Sequence, residues 1–230
     1  MRLEGDWERD GFVIARSVYS PATVARLRVI AERCLTRWCC DDFTSRGVSV
    51  PSGTADERGP RDPTTVRGAH SLRHLNHPGF HAPGSPEFVT LMEAIAEPAI
   101  LALVESMLQS PPVFRVSTLF FQPTPEHGAD AGHEGAWHRD CKFLIPDESD
   151  ERAFLDKHIS EGHTNRRGVA MQIALVANDD FELVRGSHAR YDSAAEYAVR
   201  LADGGVHSTE EMPGAVRIVL EPGDGVLFNS

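Results

Sequence analysis

The sequence predicts an α+β fold with a β-sandwich or barrel core, and three observations support this class. The N-terminal half contains stretches in which apolar residues recur at helical spacing. From Pro111 onward the chain instead carries short β-rich runs bounded by Gly, Pro and Asp. The length of 230 residues is enough for one substantial domain with its own hydrophobic core. A helical layer followed by spaced strands is typical of α+β architectures.

The N-terminal elements begin at recognisable local signals. Gly11 to Val18 reads as a short extended strand. Ser20-Pro21 combines a helix N-cap with proline at the first helical position, which predicts a helix to about residue 38. Ser85-Pro86 repeats this signal and predicts a second helix, which Pro98 either kinks or follows with a new helix.

The remaining segments are predicted from composition. Residues 41–84 are rich in Gly, Pro, Ser, Asp and Arg and lack periodicity, which predicts a long loop that is either a functional lid or partly disordered. The stretch SAAEYAVRLADG predicts a short helix. The predicted strands after Pro111 lie within residues 113–122, 167–178, 215–221 and 225–228.

Charge and composition exclude several classes of partner. The formal net charge is 23 − 34 = −11, which disfavours nucleic acid and anionic membrane surfaces as partners. The four cysteines form no C-x-x-C pair, and the N-terminus has no apolar signal region, so we expect a cytoplasmic protein. No apolar run approaches the roughly 20 residues of a membrane span.

The segment EGAWHRDCKF, residues 134–143, carries the chemistry of greatest interest. Its His-Arg-Asp tripeptide occurs in the protein-kinase catalytic loop, but that loop needs Asn five residues after the Asp, where this chain has Ile145. No G-x-G-x-x-G precedes the tripeptide and no D-F-G follows it. The kinase interpretation is therefore rejected.

The same segment fits a metal site. If residues 135–143 form a strand, His138 and Asp140 point to the same face, and Arg139 is an outward-facing spacer. One imidazole and one carboxylate are two members of the 2-His-1-carboxylate triad that binds Fe(II). The alternative is a surface His and Asp that alternate by chance.

Four segments, taken in order, resemble the phytanoyl-CoA dioxygenase family of Fe(II)/2-oxoglutarate-dependent oxygenases. WERDGFVIARSVYSPATVARLR is similar to the D-G-[FY] start and first helix of that family. LFFQPTP followed by WHRDCKF resembles its strand, loop and W-H-x-D segment. MQIALVANDDFELVRGSHAR and LEPGDGVLF resemble the P-G-S-H turn region and the P-G-D-x-x-x-F segment.

The resemblance implies a fold, an activity and cofactors. It implies a double-stranded β-helix, a cupin-like jelly roll, with N-terminal helices packed on one sheet in a single domain over residues 1–230. It implies that His138 and Asp140 bind Fe(II), and that the enzyme uses 2-oxoglutarate and O2 to hydroxylate a small molecule. Gln172 would contact 2-oxoglutarate, although a core amide bonded to a neighbouring strand is an equal alternative. Thr118 and Gln122 share one face of the preceding strand and would line the same pocket.

The chain departs from the family pattern at its end. The family's third ligand, a histidine, and its 2-oxoglutarate-binding arginine are expected after Phe228, and neither is present before Ser230. We therefore expect a chain that is incomplete at its C-terminus or an inactive product. His188 is expected to shape a loop, and Arg185, in place of the usual proline, to loosen that turn.

Other functions stay open at this point. A non-catalytic jelly-roll or cupin-like protein would keep the fold without the site. A cupin-type metal-dependent hydrolase or isomerase would use His138 and Asp140 with a different third ligand. A separate zinc site is a further hypothesis, since four histidines fall in one short loop: His70, His74, His77 and His81. A lid that faces an acidic or polar substrate and a loop with no functional role are the alternatives for this segment. The substrate and the oligomeric state are not readable from the sequence.

Overall fold

The computed structural model describes residues 1–40, 71–73, 75–120, 137–139, 148–160, 168–202, 206–208 and 210–229, and at 35–40, 71–73 and 120 it describes the backbone alone. Within these residues the helices are α1 (Trp7–Asp10), α2 (Pro21–Cys40), α3 (Pro86–Ile95), α4 (Pro98–Leu108), α5 (Glu148–Ser160) and α6 (Ala194–Arg200). The strands are β1 (Arg2–Asp6), β2 (Phe12–Arg16), β3 (Ser71–Arg73), β4 (Thr118–Phe120), β5 (Val169–Ile173), β6 (Asn178–Val184), β7 (Ala215–Leu220) and β8 (Gly225–Asn229).

The predicted helix starts are confirmed by their caps. The hydroxyl of Ser20 accepts a hydrogen bond from the Thr23 N–H at 3.2 Å, and that of Ser85 accepts from the Phe88 N–H at 3.3 Å. Each hydroxyl satisfies one of the backbone donors that a helix start leaves unpaired. Pro98 begins a new helix, since α3 ends at Ile95.

The chain divides into two compact units. The first consists of Met1–Val24, Pro98–Pro112 and Gly135–Ser230, and the second of Ala25–Glu97 and Val113–Glu134. The expectation of one domain over residues 1–230 stays a prediction.

The first unit is built on a four-stranded antiparallel sheet in the order β1-β2-β8-β5. Its two faces bury different partners because side chains alternate along each strand. On one face Val13, Ala15 and Leu227 pack against Met107 of α4. On the other face the sheet packs against the antiparallel pair of β6 and β7, through residues that include Phe12, Val226, Phe181 and Ile218.

The second unit contains the antiparallel pair of β3 and β4, in which Ser71 faces Phe120 and Arg73 faces Thr118. Arg33 of α2 forms an ion pair with Glu87 of α3. Strand β3 lies within the 41–84 stretch that was predicted to be a loop, so that prediction is wrong at residues 71–73. Residues 41–70 lie outside the described residues.

The α+β class and the antiparallel sheets are thus confirmed. The packing of α4 on one face of the sheet agrees with the expected helical layer, and the jelly-roll connectivity stays a prediction. Among the described residues, no helix is both long enough and apolar enough to cross a membrane.

Candidate metal centre

The D-G-F segment at residues 10–12 and the G-S-H turn at residues 186–188 contact each other directly. The N–H of Gly186 donates to the Asp10 carbonyl at 3.0 Å. The imidazole of His188 lies against Gly11, and its Nε2 is 3.2 Å from the carbonyl oxygen of Glu8. Burial lowers the pKa of His188, which favours the neutral ring in this place.

Arg185 makes contacts of its own with the D-G-F segment, and the expectation that it loosens the turn stays a prediction. Its guanidinium lies 2.9 Å from the buried carboxylate of Asp10 and 5.2 Å from the ring centre of Phe12. Hydrogen bonds from Arg9, and further ones from Arg185, lower the pKa of Asp10 to about 2. The arginine therefore contributes contacts of its own in place of the rigidity of proline.

The P-G-D segment joins β8 to the start of the chain. The buried carboxylate of Asp224 accepts hydrogen bonds from the Ser17 N–H and from Arg16, each at 2.8 Å. Gly223 has φ +94°, and a Cβ there would lie 2.6 Å from the carbonyl oxygen of Tyr19. Asp224 also accepts a third hydrogen bond, from the Glu221 N–H at 3.1 Å. The close approach of the backbone explains glycine at position 223, and the three hydrogen bonds explain aspartate at position 224.

Residues 137–139 are fixed on both sides of His138. The Trp137 N–H donates to the carbonyl of Ser208 at 2.7 Å, and its indole N–H donates to the carbonyl of Glu210 at 3.1 Å. Arg139 donates to the carbonyl of Ser187 at 2.7 Å. The side chain of His138 is exposed between these two anchored neighbours.

Two expectations about this segment are wrong over the described residues. Residues 137–139 do not belong to a strand. Arg139 is not an outward-facing spacer, since only 11% of its side chain is exposed, and it is His138 that faces outward. The three side chains alternate in exposure, but in the opposite sense to the one expected, because long-range hydrogen bonds hold Trp137 and Arg139 inward and leave His138 exposed.

Gln172 lies in the middle of β5, directly opposite Val226 of β8. Paired residues in an antiparallel sheet share a face, so Gln172 projects to the face that carries Val226 and packs on β6 and β7. Its neighbour Met171 packs on the opposite face, against the α4 side of the sheet. Gln172 is half-buried, so its amide lies on the β6 and β7 face of the sheet with part of its surface exposed.

The other predicted site residues are placed as follows. Thr118 opens β4 in the second unit and is half-buried, opposite Arg73. Asp140 and Gln122 lie outside the described residues, so their roles stay predictions. Within the described part of the chain, no group of three or more His, Cys, Asp or Glu side chains could hold a metal ion.

The described members of the histidine-rich loop have structural partners. Nδ1 of His77 accepts a hydrogen bond from the Gly79 N–H at 3.0 Å. His81 is buried, with its Nε2 3.4 Å from the sulfur of Cys34. His70 and His74 lie outside the described residues. The zinc hypothesis therefore gains no support from the two histidines that the structure describes.

The donor chemistry at residues 138–140 fits a divalent metal. A neutral imidazole and a carboxylate are ligands that Fe(II) accepts, and His138 is exposed. Because Trp137 and Arg139 are already held by hydrogen bonds, less backbone freedom is lost when His138 binds a metal. Sequence patterns gave no sign of these anchors, because the partners of Arg139 lie 48 to 53 residues further along the chain.

Antiparallel sheets with a helical layer define a mixed α/β protein, and sequence comparison places it more narrowly. The chain belongs to the phytanoyl-CoA dioxygenase (PhyH) family, whose family model matches residues 7–230. Membership of this family indicates an oxygenase. No curated protein shows significant similarity to the chain.

A solved structure supports the fold. The crystal structure of AviO1 from Streptomyces viridochromogenes Tue57 is similar, with a TM-score of 0.51 and 21% sequence identity. The match covers 97% of this chain and 80% of AviO1. At this identity the likeness extends to the fold alone.

Proposed function

We propose that this protein is an Fe(II)/2-oxoglutarate-dependent dioxygenase that hydroxylates a small molecule and releases succinate and CO2. The observation that carries the proposal is the exposed His138, held between two anchored neighbours in a W-H-x-D segment of a PhyH-family chain. The lack of a cysteine framework in the sequence supports a reducing, cytoplasmic location.

His138 and Asp140 would hold the metal. They supply one imidazole nitrogen and one carboxylate oxygen, which are two ligands of a facial triad that leaves positions open for 2-oxoglutarate and O2. Bound Fe(II) supplies the oxidising chemistry, while the protein contributes binding, orientation and exclusion of water.

Gln172 is the described residue best placed to contact 2-oxoglutarate. Its amide projects from β5 to the face that carries Val226, and an amide N–H is a donor from which a carboxylate of 2-oxoglutarate can accept a hydrogen bond. Thr118 and Gln122 remain proposed pocket residues on the predicted strand of residues 113–122.

The proposal is tested by 2-oxoglutarate turnover and metal binding. The protein is incubated anaerobically with Fe(II) and 2-oxoglutarate, O2 is admitted, and succinate is measured, while Mn(II) binding is titrated by calorimetry. The natural full-length protein should bind metal and form succinate, and His138→Ala in that protein should lose both. His207→Ala is the control, because this partly exposed histidine pairs with Glu210 at 2.6 Å and is not a proposed ligand.

Three results would contradict the proposal. Absence of Fe(II) binding and of succinate formation would remove the metal-dependent activity. A His138→Ala variant that behaves like the parent in both measurements would indicate a non-catalytic cupin-like protein. Preference for zinc, with no response to 2-oxoglutarate analogues, would indicate a cupin-type hydrolase or isomerase.

A further inference from the structure

A buried chain of four charged side chains ends at the residue next to His138. Arg139 donates to one carboxylate oxygen of Asp192 from Nε at 3.1 Å and from Nη2 at 2.6 Å. The other oxygen of Asp192 accepts from Nε of Arg200 at 2.6 Å. Arg200 donates two further hydrogen bonds to Glu151, at 3.1 and 2.9 Å. With two cations and two anions, this group of four side chains is formally neutral.

These four charged side chains are largely buried, and the hydrogen bonds of Arg139 fix the orientation of its guanidinium. The side chains of Arg200 and Glu151 are 3% and 2% exposed, and that of Asp192 is 6% exposed. Arg139 also donates to the carbonyls of Ser187 and Arg190, at 2.7 and 3.1 Å. A planar guanidinium with four such bonds has one orientation, whereas a lysine ammonium cannot reproduce the fork.

The chain connects two helices to the metal segment. Glu151 belongs to α5 and Arg200 to α6, while Arg139 directly follows His138. Buried ion pairs often add little net stability relative to apolar residues, so stability alone is a weak reason for burying four charges. Their clear physical effect is to fix geometry at Arg139, and through the backbone at His138.

We infer that Arg139 is a positioning residue for the metal-binding imidazole of His138, with Asp192, Arg200 and Glu151 as its support. This inference rests on the proposed function, because it assigns a supporting role to residues around the proposed ligand. Groups that orient a ligand from outside typically change metal affinity by about 10- to 100-fold when they are altered.

A second ion pair in the same loop provides a matched control. Arg190 donates to both oxygens of Glu196 at 2.6 Å, and hydrogen bonds from Arg190 lower the pKa of Glu196 to about 2. Glu196 also completes the capping box of α6 with Ser193. Arg139 contacts the main chain of Arg190 and not this side-chain pair. Arg190→Lys thus disturbs a bidentate pair in the same loop without removing a bond of Arg139, although Arg190 is 44% exposed and Arg139 only 11%, so the melting temperatures are needed to correct for the difference in burial.

The experiment compares Arg139→Lys, Asp192→Asn and Arg190→Lys in the whole chain. Mn(II) affinity is titrated by calorimetry, and the melting temperature of each metal-free variant is measured in parallel. Arg139→Lys and Asp192→Asn should weaken Mn(II) binding by about 10- to 100-fold, whereas Arg190→Lys should change it by less than about threefold. Arg139→Ala should weaken binding more than Arg139→Lys, which keeps the charge.

The inference would be overturned if Mn(II) binding were weakened in Arg139→Lys and Arg190→Lys only as far as each variant's melting temperature falls. Asp192→Asn serves if Arg139→Lys fails to fold, because the asparagine keeps an oxygen acceptor. A second measurement does not depend on metal: the ring signals of His138 are followed by NMR in histidine-labelled, metal-free protein. They should broaden in Arg139→Lys and stay unchanged in Arg190→Lys.

The two measurements separate this inference from the proposed function. A wild type that binds no Mn(II) contradicts the proposed function, and the NMR signals of His138 then decide the positioning role alone. A wild type that binds Mn(II), with no selective effect of Arg139→Lys on affinity or on the ring signals, contradicts the inference and leaves the proposed function standing.

Discussion

The imidazole of His188 occupies the space in which a side chain on Gly11 would begin. A Cβ built on Gly11 would overlap the ring, and Gly11 has φ +80° as the residue that ends α1. The D-G-F segment and the G-S-H turn therefore fit together, because Gly11 has no side chain and leaves room for the ring of His188. The Asn229 N–H also donates to the Gly11 carbonyl at 3.0 Å, which ties the end of β8 to the same point.

Gly11→Ala should destabilise the protein by about 2–4 kcal/mol, since left-handed backbone and overlap with a packed ring each cost on the order of 1–2 kcal/mol. Gly214→Ala is the control, because Gly214 has φ +75° and no heavy atom of the described residues within 4 Å of a Cβ. It should cost only about 1–2 kcal/mol. Urea unfolding measures both, and equal losses would show that the His188 contact contributes nothing.

His188 should also make stability depend on pH. Its pKa is lowered by burial, and its Nδ1 is buried without a hydrogen-bond partner among the described residues. The unfolded chain, with a histidine pKa of about 6.5, binds the proton first as pH falls. The stability that depends on neutral His188 is therefore complete above about pH 6.5 and is lost between that value and the lower folded pKa.

The measurement is the free energy of unfolding at about pH 8 and about pH 5, on either side of the ordinary histidine pKa, for the wild type, His188→Gln and His207→Gln. The wild type and His207→Gln should lose more stability on acidification than His188→Gln, which has no titrating ring at this place. The same pH dependence in all three proteins would contradict this assignment.

Local signals in the sequence predicted the elements that depend on local interactions. Ser20-Pro21 and Ser85-Pro86 mark helix starts because the cap hydrogen bonds span three residues. Helix α5 was not predicted, since its buried face carries Glu151 and His158 beside Leu155, and no apolar periodicity results. A buried glutamate is identifiable only once Arg200, 49 residues later, is known to pair with it.

At the candidate site, too, the features set by local sequence were predicted and those set by distant partners were not. The W-H-x-D pattern pointed to His138, because the ligand types and their spacing are local properties. The direction of Arg139 was predicted wrongly, because alternation does not say which face is inward, and hydrogen bonds to Asp192 and to the Ser187 carbonyl decide it. Strand β6 was also missed, although Phe181 and Leu183 alternate with polar residues within it and gave a usable signal.

Gln172→Leu should weaken 2-oxoglutarate binding by about 10-fold or more while the protein stays folded. The substitution roughly conserves volume, and loss of one hydrogen bond to a charged group costs about 1.5–3 kcal/mol. Met171→Leu is the matched control, because Met171 lies on the same strand but packs on the α4 face. Calorimetric titration of 2-oxoglutarate into Mn(II)-loaded protein measures the affinity. Equal affinities in both variants would indicate that Gln172 is a core amide.

Arg200→Met should be the most destabilising of these substitutions, at about 3–5 kcal/mol, because it leaves the buried carboxylates of Glu151 and Asp192 without this cation. Arg152→Met is the control. The Arg152 side chain is 51% exposed, and its guanidinium lies 3.9 Å from the ring centre of Tyr191, so its loss should cost less than about 1 kcal/mol.

Adding Glu151→Gln to Arg200→Met should restore part of the lost stability, since it removes the buried carboxylate that has lost its cation, whereas Asp192 keeps its hydrogen bonds from Arg139. Urea unfolding of the single and double variants gives the coupling between the two residues. If the double variant is no more stable than Arg200→Met, the bidentate pair does not act through charge, and the packing of the long Arg200 side chain is what stabilises α6 against α5.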